Sequence, residues 1–199
     1  MAVKQPKTRK GKLTMAALCD AAEKMFKTKG FYRTTIKDIT EDAGVGLGTF
    51  YLYFESKRTI YDYLLLQYSH LIRSTIAVNI RDSQTTDKFE MERIGIRTFF
   101  QIVFEQPHIY NIIWESLYID KNLFINYYTN FAKHYANSIT EGQRTGAVRD
   151  DLDPEVMAYS LMGITNFVGL KWTMFEKSEE KLDWITDEIM KLLKRGMYL

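Results

Sequence analysis

The stretch TIKDITEDAGVGLGTFYLYFESK, residues 35–57, determines how the rest of the chain is interpreted. Ile36, Ile39 and Ala43 recur at three- and four-residue spacing, which places them on one face of a short helix. Gly44 follows, and a glycine there can take the left-handed conformation that satisfies the carbonyls at a helix end. A second short helix completes the stretch. Two short helices around a glycine-containing turn are typical of a helix-turn-helix, whose second helix enters the DNA major groove.

The composition is that of an ordinary globular protein. Of its 199 residues, 46% are hydrophobic and 26% are charged. No apolar run approaches the roughly 20 residues that cross a bilayer. The basic N-terminus has no apolar stretch behind it, so we do not expect it to act as a secretory signal. A single cysteine, Cys19, excludes an intramolecular disulfide. We therefore expect the reducing cytoplasm.

The net charge of +2 hides an asymmetry along the chain. Residues 1–60 contain 12 Lys and Arg against 6 Asp and Glu, a net charge of +6. Residues 61–199 contain 15 against 19, a net charge of −4. Because a polyanion attracts a basic surface and releases counterions on binding, this split favours nucleic acid as the partner of the N-terminal part.

The whole chain is predicted to be all-α, because no segment shows sustained strand alternation. Thr14 is the expected N-cap of the first helix, and Asp153 followed by proline is a strong start signal for a late one. We expect a basic flexible tail (residues 1–13), a three-helix helix-turn-helix domain (14–56) and a larger helical ligand-binding and dimerisation domain (57–199). The predicted helices cover residues 14–29, 36–43, 47–53, 57–81, 88–105, 107–117, 121–141, 154–175 and 179–195.

Short motifs in residues 14–65 follow one another in an order that is typical of a known family. These motifs are Phe26, Gly30-Phe31, Thr34-Thr35-Ile36, Ile39, Ala43-Gly44-Val45, Gly48-Thr49-Phe50-Tyr51, Tyr53-Phe54 and Ser56-Lys57. The N-terminal third of the chain resembles the DNA-binding domain of the TetR family of bacterial transcriptional regulators. The resemblance implies a homodimeric repressor that binds a palindromic operator and is released by a small molecule bound in its C-terminal domain.

The resemblance also implies which residues contact DNA. Tyr51, Tyr53 and Lys57 match the family's phosphate contacts, and Thr35 caps its helix near the DNA backbone. The base-reading positions are poor in Arg, Asn and Gln, so direct readout rests on Lys37, the Thr49 hydroxyl and apolar contacts. We therefore expect part of the specificity to be indirect or shared with the basic tail. The predicted DNA-binding residues are Thr35, Lys37, Gly46, Leu47, Gly48, Thr49, Tyr51, Tyr53 and Lys57.

The C-terminal two-thirds are rich in aromatic residues, which are expected to fill a core and to enclose a ligand cavity. Polar groups within these stripes would orient a small hydrophobic or aromatic effector. The predicted pocket residues are Phe100, Phe104, Tyr110, Trp114, Glu115, Tyr128, Phe131, His134 and Phe167.

The resemblance further implies that the last two helices form a four-helix interface with a second copy. Small residues in the helix after Asp153 suit close helix packing, since glycine otherwise costs a helix about 1 kcal/mol. Intramolecular core packing is the alternative for about half of these positions. The predicted interface residues are Met157, Ser160, Leu161, Gly163, Ile164, Leu170, Ile185, Ile189 and Leu192.

Nothing in the sequence indicates catalysis, a cofactor or a metal site. Cys19 lies in an apolar stripe, and His70, His108 and His134 lack the paired spacing of a metal site on one helix. The main prediction is a DNA-binding regulator with a small-molecule effector and no enzymatic activity. Two alternatives remain open: a DNA-binding regulator without a small-molecule effector, and a helical lipid-binding or enzymatic protein whose basic end meets membranes.

Overall fold

The computed structural model describes residues 3–197 and, except at Arg195, their side chains. The described residues form nine α-helices and no β-strand, which confirms the all-α prediction. A π-helical turn, Leu170–Phe175, follows α8, and a 3₁₀ turn, Glu179–Lys181, precedes α9. The helices are α1 (Arg9–Arg33), α2 (Ile36–Asp42), α3 (Leu47–Tyr53), α4 (Lys57–Ser83), α5 (Lys88–Glu105), α6 (His108–Ile119), α7 (Lys121–Arg144), α8 (Pro154–Gly169) and α9 (Leu182–Gly196).

Helix α1 begins earlier than predicted. Thr8 is its N-cap, and the Thr8 hydroxyl accepts the Gly11 N–H at 3.1 Å. Thr14 lies inside the helix, where its hydroxyl donates to the Lys10 carbonyl at 3.0 Å. The predicted start at Thr14 is wrong because two threonines upstream of the same apolar stripe offer equivalent caps, and the chain uses the first. The helix breaks at Gly30, whose φ of 74° requires glycine.

Two compact units divide the chain. One contains the residues up to Tyr68 together with Asn111–Phe124, and the other contains Ser69–Tyr110 together with the residues from Ile125 onwards. Helices α4, α6 and α7 therefore each contribute to both units. The boundary expected at residue 56 divides a DNA-binding domain from a ligand-binding and dimerisation domain. This division by function stays a prediction.

The first unit has a core that holds the helix-turn-helix together. Its large side chains come from α1, α2, α3 and the start of α4, so that the two short helices are supported by two long ones. The fully buried members are Leu18, Ile39, Phe50, Phe54, Ile60 and Tyr61.

The second unit is built around contacts of α5 with α9 and α8. Apolar faces of these helices form a single buried cluster that includes Phe100, Leu161 and Ile185. At the edge of this cluster, Arg93 pairs with Asp187 at 2.9 Å and Arg97 with Asp183 at 2.7 Å.

The helix predicted over residues 154–175 keeps its α geometry only to Gly169. A Cβ atom at Gly169 would lie 2.9 Å from the Tyr110 hydroxyl and 3.3 Å from the Phe100 ring, so only glycine fits. The hydroxyl of Thr173 donates to the Gly169 carbonyl at 2.6 Å within the turn that follows. None of the described helices is long and apolar enough to cross a membrane.

Candidate nucleic-acid interface

Helix α2 is fixed at its start by a reciprocal capping box. The Thr35 hydroxyl accepts the Asp38 N–H at 3.1 Å, and the Asp38 carboxylate accepts the Thr35 N–H at 2.8 Å. Lys29 donates to the same carboxylate at 2.8 Å, and this bond, with those from Thr35, lowers the pKa of Asp38. The cap that the sequence predicted at Thr35 is therefore present, and α1 is tied to the start of α2.

The turn between α2 and α3 depends on Gly44. Its φ is +66°, and its N–H donates to the Glu41 carbonyl at 3.2 Å. The next N–H, that of Val45, donates to the Thr40 carbonyl at 3.0 Å. These bonds satisfy the end of α2 and redirect the chain into α3, as the sequence predicted.

Helix α3 has one face in the core and one face in solvent. Phe50 is fully buried and its ring centroid lies 5.7 Å from that of Phe54, which confirms its place in the core. On the other face Leu47, Tyr51 and Leu52 are exposed by 53%, 50% and 62%. A surface helix with three exposed large apolar or aromatic side chains suits contact with another macromolecule.

The glycines at the start of α3 leave that face open. Apart from the neighbouring residues in the chain and the helix's own backbone, no atom would lie within 4 Å of a Cβ atom at Gly46 or Gly48. Thr49 is half-buried, and Lys37, on α2, has an 80% exposed side chain that lies 3.6 Å from Glu41. This geometry permits a close approach of the backbone to a partner, with two polar side chains beside it.

Lys57 performs a structural role that the sequence did not predict. Its ammonium donates to the Phe31 carbonyl at 2.5 Å and to the Thr34 carbonyl at 2.6 Å, and it lies 4.2 Å from the centre of the Phe31 ring. Burial lowers the pKa of Lys57, and the charges of Glu115 and Asp38 oppose that shift. Two of its three protons therefore hold the end of α1, and only the third is left for the predicted phosphate contact.

Glu115 was predicted to line a ligand pocket, but its carboxylate holds the DNA-binding part of the chain. Oε1 accepts the Phe31 N–H at 2.8 Å, and Oε2 lies 3.4 Å from the Tyr61 hydroxyl. Tyr61 donates to the Ile112 carbonyl at 2.5 Å. The backbone of Phe31 is thus held at its N–H by Glu115 and at its carbonyl by Lys57. No pattern in the sequence indicates this contact, because 84 residues separate Glu115 from Phe31.

Two further contacts within the first unit involve the end of α6 and the residue that follows it. Tyr32 donates its hydroxyl to the Tyr118 carbonyl at 2.7 Å, and Arg58 pairs with Asp120. All four residues belong to the same compact unit as the helix-turn-helix. The end of α6 and the residue after it therefore help to position α1 and α4.

The other predicted pocket residues have different environments. Phe100 and Tyr110 are buried and packed against Gly169, and the Tyr110 hydroxyl donates to the Asn166 carbonyl at 3.1 Å. Phe104, Tyr128 and Phe131 are half-buried, whereas Trp114, His134 and Phe167 are exposed. Trp114, like Glu115, belongs to the first unit rather than to the second.

The predicted dimer residues also separate by exposure. Met157, Leu161, Ile185 and Ile189 belong to the core of the second unit and are not available to a second copy. This corrects their assignment, because their faces of α8 and α9 pack against α5 within the chain. Ile164 and Leu170 are half-buried, and Ser160, Gly163 and Leu192 are exposed.

Within the described residues, no group of three or more His, Cys, Asp and Glu side chains could hold a metal ion. Cys19 is a free thiol, and burial, followed by the charges of Asp20 and Glu23, raises its pKa to about 12. A thiol with so high a pKa is a poor nucleophile near neutral pH.

Comparisons with known proteins agree with this geometry. Residues 18–64 match the family model described as bacterial regulatory proteins, tetR family. The transcriptional repressor DhaR of Mycobacterium sp. (strain GP1) is 22% identical over 174 residues, which cover 83% of this chain and 85% of the relative. The fatty acid metabolism regulator protein of Bacillus subtilis is 23% identical over 188 residues, covering 91% and 94%.

Solved structures share the fold over nearly the whole chain. The fatty acid degradation regulator FadR from Bacillus halodurans has a TM-score of 0.78 at 20% identity, and the match covers 95% of this chain and 96% of that one. FadR from Bacillus subtilis, solved in complex with stearoyl-CoA, has a TM-score of 0.75 at 19% identity, with coverages of 91% and 98%.

The named relatives are transcriptional regulators, which confirms the interpretation of this chain as a regulator rather than an enzyme. Residues 18–64 therefore match the DNA-binding part of the tetR family of bacterial regulatory proteins, and the all-helical fold of the chain is similar to that of solved TetR-family regulators.

Proposed function

We propose that this regulator is a homodimeric repressor that binds a palindromic operator through the exposed face of α3 and leaves it when an apolar small molecule binds. The observation that carries the proposal is the division of α3 between a buried face, with Phe50, and an open face, with Leu47 and Tyr51. The repressor function is supported by relatives that are named as repressors.

The base contacts that we propose follow from the side chains on the open face. Leu47 can contact a thymine methyl group, and the Thr49 hydroxyl can donate to or accept from a base edge. Gly46 and Gly48 let the backbone approach the groove, since no atom lies within 4 Å of either Cβ position. Lys37 adds a positive charge beside this face. We propose all of the predicted DNA-binding residues as DNA contacts. Lys57 can donate only one proton to a phosphate, because its other two protons are bound to the Phe31 and Thr34 carbonyls.

The phosphate contacts that we propose come from Tyr51 and Tyr53. Tyr51 is 50% exposed and its ring lies edge-on to Phe50 at 5.5 Å between centroids, so that it is oriented by the core. Tyr53 is half-buried at the end of α3. A tyrosine hydroxyl that donates to a phosphate fixes the register of a protein on DNA without reading the sequence.

The dimer interface that we propose is an exposed stripe on α8 and α9. Val156, Tyr159 and Phe167 are exposed by 64%, 42% and 68% and lie at helical spacing with Gly163. Leu192, on α9, is 63% exposed. Nothing lies within 4 Å of a Cβ atom at Gly163, so a second helix has room to pack there. Exposed apolar area of this kind indicates an interface.

The effector that we propose is an apolar molecule with a polar end, bound in the second unit. Two structures of similar fold belong to fatty acid regulators, and one of them contains stearoyl-CoA. In this chain Tyr127 stacks on Phe131 with centroids 6.3 Å apart and lies beside Tyr128. Burial raises the pKa of Tyr127, and the nearby charge of Arg73 opposes that shift. Aromatic rings beside a cation suit an apolar chain with an anionic head.

Two experiments test these proposals. Selection of bound duplexes from a random pool should return a palindrome whose half-sites lie about 10 base pairs apart or a multiple of that spacing. Absence of any enriched sequence would overturn the operator proposal. Fluorescence anisotropy of the selected duplex, titrated with long-chain acyl-CoA and free fatty acids, should show release by at least one of them. Undiminished DNA binding in their presence would exclude this effector class.

A further inference from the structure

The basic N-terminal segment is docked against the recognition helix. The Lys4 N–H donates to the Tyr53 carbonyl, the last residue of α3, at 3.2 Å. Residues 3–8, which we call the N-terminal arm, precede α1 and have no regular secondary structure. Val3 and Pro6 are half-buried. The arm therefore packs on the first unit and has a defined direction along it.

A second contact fixes the other end of the arm. A Cβ atom at Gly11 would lie 2.9 Å from the Pro6 Cβ, 3.1 Å from the Thr8 Oγ1 and 3.4 Å from the Tyr53 hydroxyl. Glycine is thus the residue that lets the arm, the start of α1 and the end of α3 approach each other this closely.

The arm and the start of α1 carry only positive charges, which favours an anionic partner. Lys4 and Lys7 are exposed, as are Arg9 and Lys10 at the start of α1. Among the residues that the structure describes, none of the four lies within 4.0 Å of a carboxylate. Residues 3–10 contain no acid in the sequence. This concentration of positive charge is costly in the free protein and becomes favourable beside phosphates.

We propose that the N-terminal arm is a fixed part of the DNA interface, in which Lys4 and Lys7 contact the phosphate backbone next to the C-terminal end of α3. The proposal rests on the function proposed above. With α3 in the major groove, the last residues of that helix lie toward a wall of the groove, which is lined by phosphates. Docking on Tyr53 places the arm at that wall. The arm supplies affinity that the open face of α3, with few charged side chains, does not supply.

The docked arm differs from a flexible basic tail in one measurable respect. A flexible tail acts through its charge alone, whereas a docked arm also depends on the contact at Gly11. The change Gly11→Ala keeps every charge and forces Pro6 away, because 2.9 Å is too short for two carbon atoms. Alanine is also about 1 kcal/mol more favourable than glycine in a helix, so the variant should not lose stability.

The test measures binding of the selected operator duplex by anisotropy at several salt concentrations. Each lost phosphate contact reduces the slope of log K against log salt by roughly 0.9, so Lys4→Ala/Lys7→Ala should reduce it by about 2 per protomer. The matched control, Lys121→Ala/Lys133→Ala, removes the same charge from exposed positions on α7 and should keep the wild-type slope. Gly11→Ala should weaken binding at constant charge and add nothing in the Lys4→Ala/Lys7→Ala background.

Three outcomes would overturn the inference. A wild-type slope for Lys4→Ala/Lys7→Ala would remove the arm from the interface. An equal decrease of the salt slope in the control variant would show that only the net charge of the protein matters, and not the position of the two lysines. Wild-type binding by Gly11→Ala would show that docking is irrelevant. If the wild type still binds a specific DNA sequence, each of these outcomes removes the arm from the interface but leaves the proposed function intact. If the wild type binds no specific sequence, the proposed function itself is refuted.

Discussion

Removal of the Glu115 carboxylate tests how the DNA-binding part of the chain is held. In Glu115→Ala the Phe31 N–H loses the acceptor that now lies at 2.8 Å, and the Tyr61 hydroxyl loses the oxygen at 3.4 Å. A hydrogen bond to a charged group contributes about 1.5–3 kcal/mol, and an orphaned donor costs a similar amount. The carboxylate also favours the charged form of Lys57.

We therefore expect Glu115→Ala to lower the free energy of unfolding by about 2 kcal/mol. This corresponds to a fall in Tm of about 4–8 °C for a chain of this size. Glu115→Gln keeps an amide oxygen at the Oε1 position and should cost about half as much. Urea unfolding followed by circular dichroism measures the free energy, and hydrogen exchange at Phe31 measures the local effect.

Glu55→Ala is the control, because it removes an exposed carboxylate from the same unit and should change stability by less than about 0.5 kcal/mol. The Phe31 amide should exchange faster in Glu115→Ala and at the wild-type rate in Glu55→Ala. Equal stability of the wild type and Glu115→Ala, with unchanged exchange at Phe31, would refute the role assigned to this carboxylate.

Three further predictions address other parts of the chain. Gly163→Leu should shift the protein toward monomer in sedimentation while preserving helix content; a persisting dimer would place the interface elsewhere. Burial raises the pKa of Glu92 to about 7 although Tyr135 donates to it, so the folded state keeps a proton that the unfolded state releases. Wild-type stability should therefore fall between about pH 4.5 and 7, by about 3 kcal/mol more than in Glu92→Gln; identical pH profiles would contradict this. Cys19, with its pKa raised to about 12, should react slowly with thiol reagents at about pH 8 until urea unfolds the chain, and rapid labelling of the folded protein would contradict the raised pKa.

Most helices could be predicted from the sequence because their ends carry strong local signals. Asp153 accepts from the Glu155 and Val156 N–H groups, and Gly44 has the positive φ that its position after α2 suggested. Apolar spacing placed Phe50 in the core, where it is fully buried. Such features depend on a few neighbouring residues and on well-known preferences of helix termini.

Features that depend on distant residues could not be predicted. Glu115 lies among aromatic residues in the sequence, which suggested a pocket, yet its carboxylate binds a peptide 84 residues away. The lysine at position 57 looked like a phosphate contact, but the carbonyls that it binds come from the end of α1 and the residue after it. The π-helical turn from Leu170 begins where Tyr110 and Phe100 pack against Gly169. Apolar residues continue at helical spacing through this turn, so the sequence pattern predicts an uninterrupted α-helix.

The predicted dimer interface also depended on packing between distant helices, which the sequence pattern could not resolve. The sequence pattern marked α8 and α9 as apolar on more than one side but could not assign each side to a partner. Within the chain the faces with Leu161 and Ile185 pack against α5. The opposite faces, with Phe167 and Leu192, are 68% and 63% exposed. Only the three-dimensional packing of α5 separates the two sets.

The central claim is that the open face of α3 reads operator bases. Its most direct test is selection of duplexes from a random pool by the wild type and by Thr49→Val, which keeps the shape of the side chain and removes its hydroxyl. We expect a palindromic consensus for the wild type and a loss of preference, of about 1–3 kcal/mol, at one symmetric pair of positions for the variant. A wild-type consensus without twofold symmetry, or a consensus unchanged by Thr49→Val, would contradict the claim.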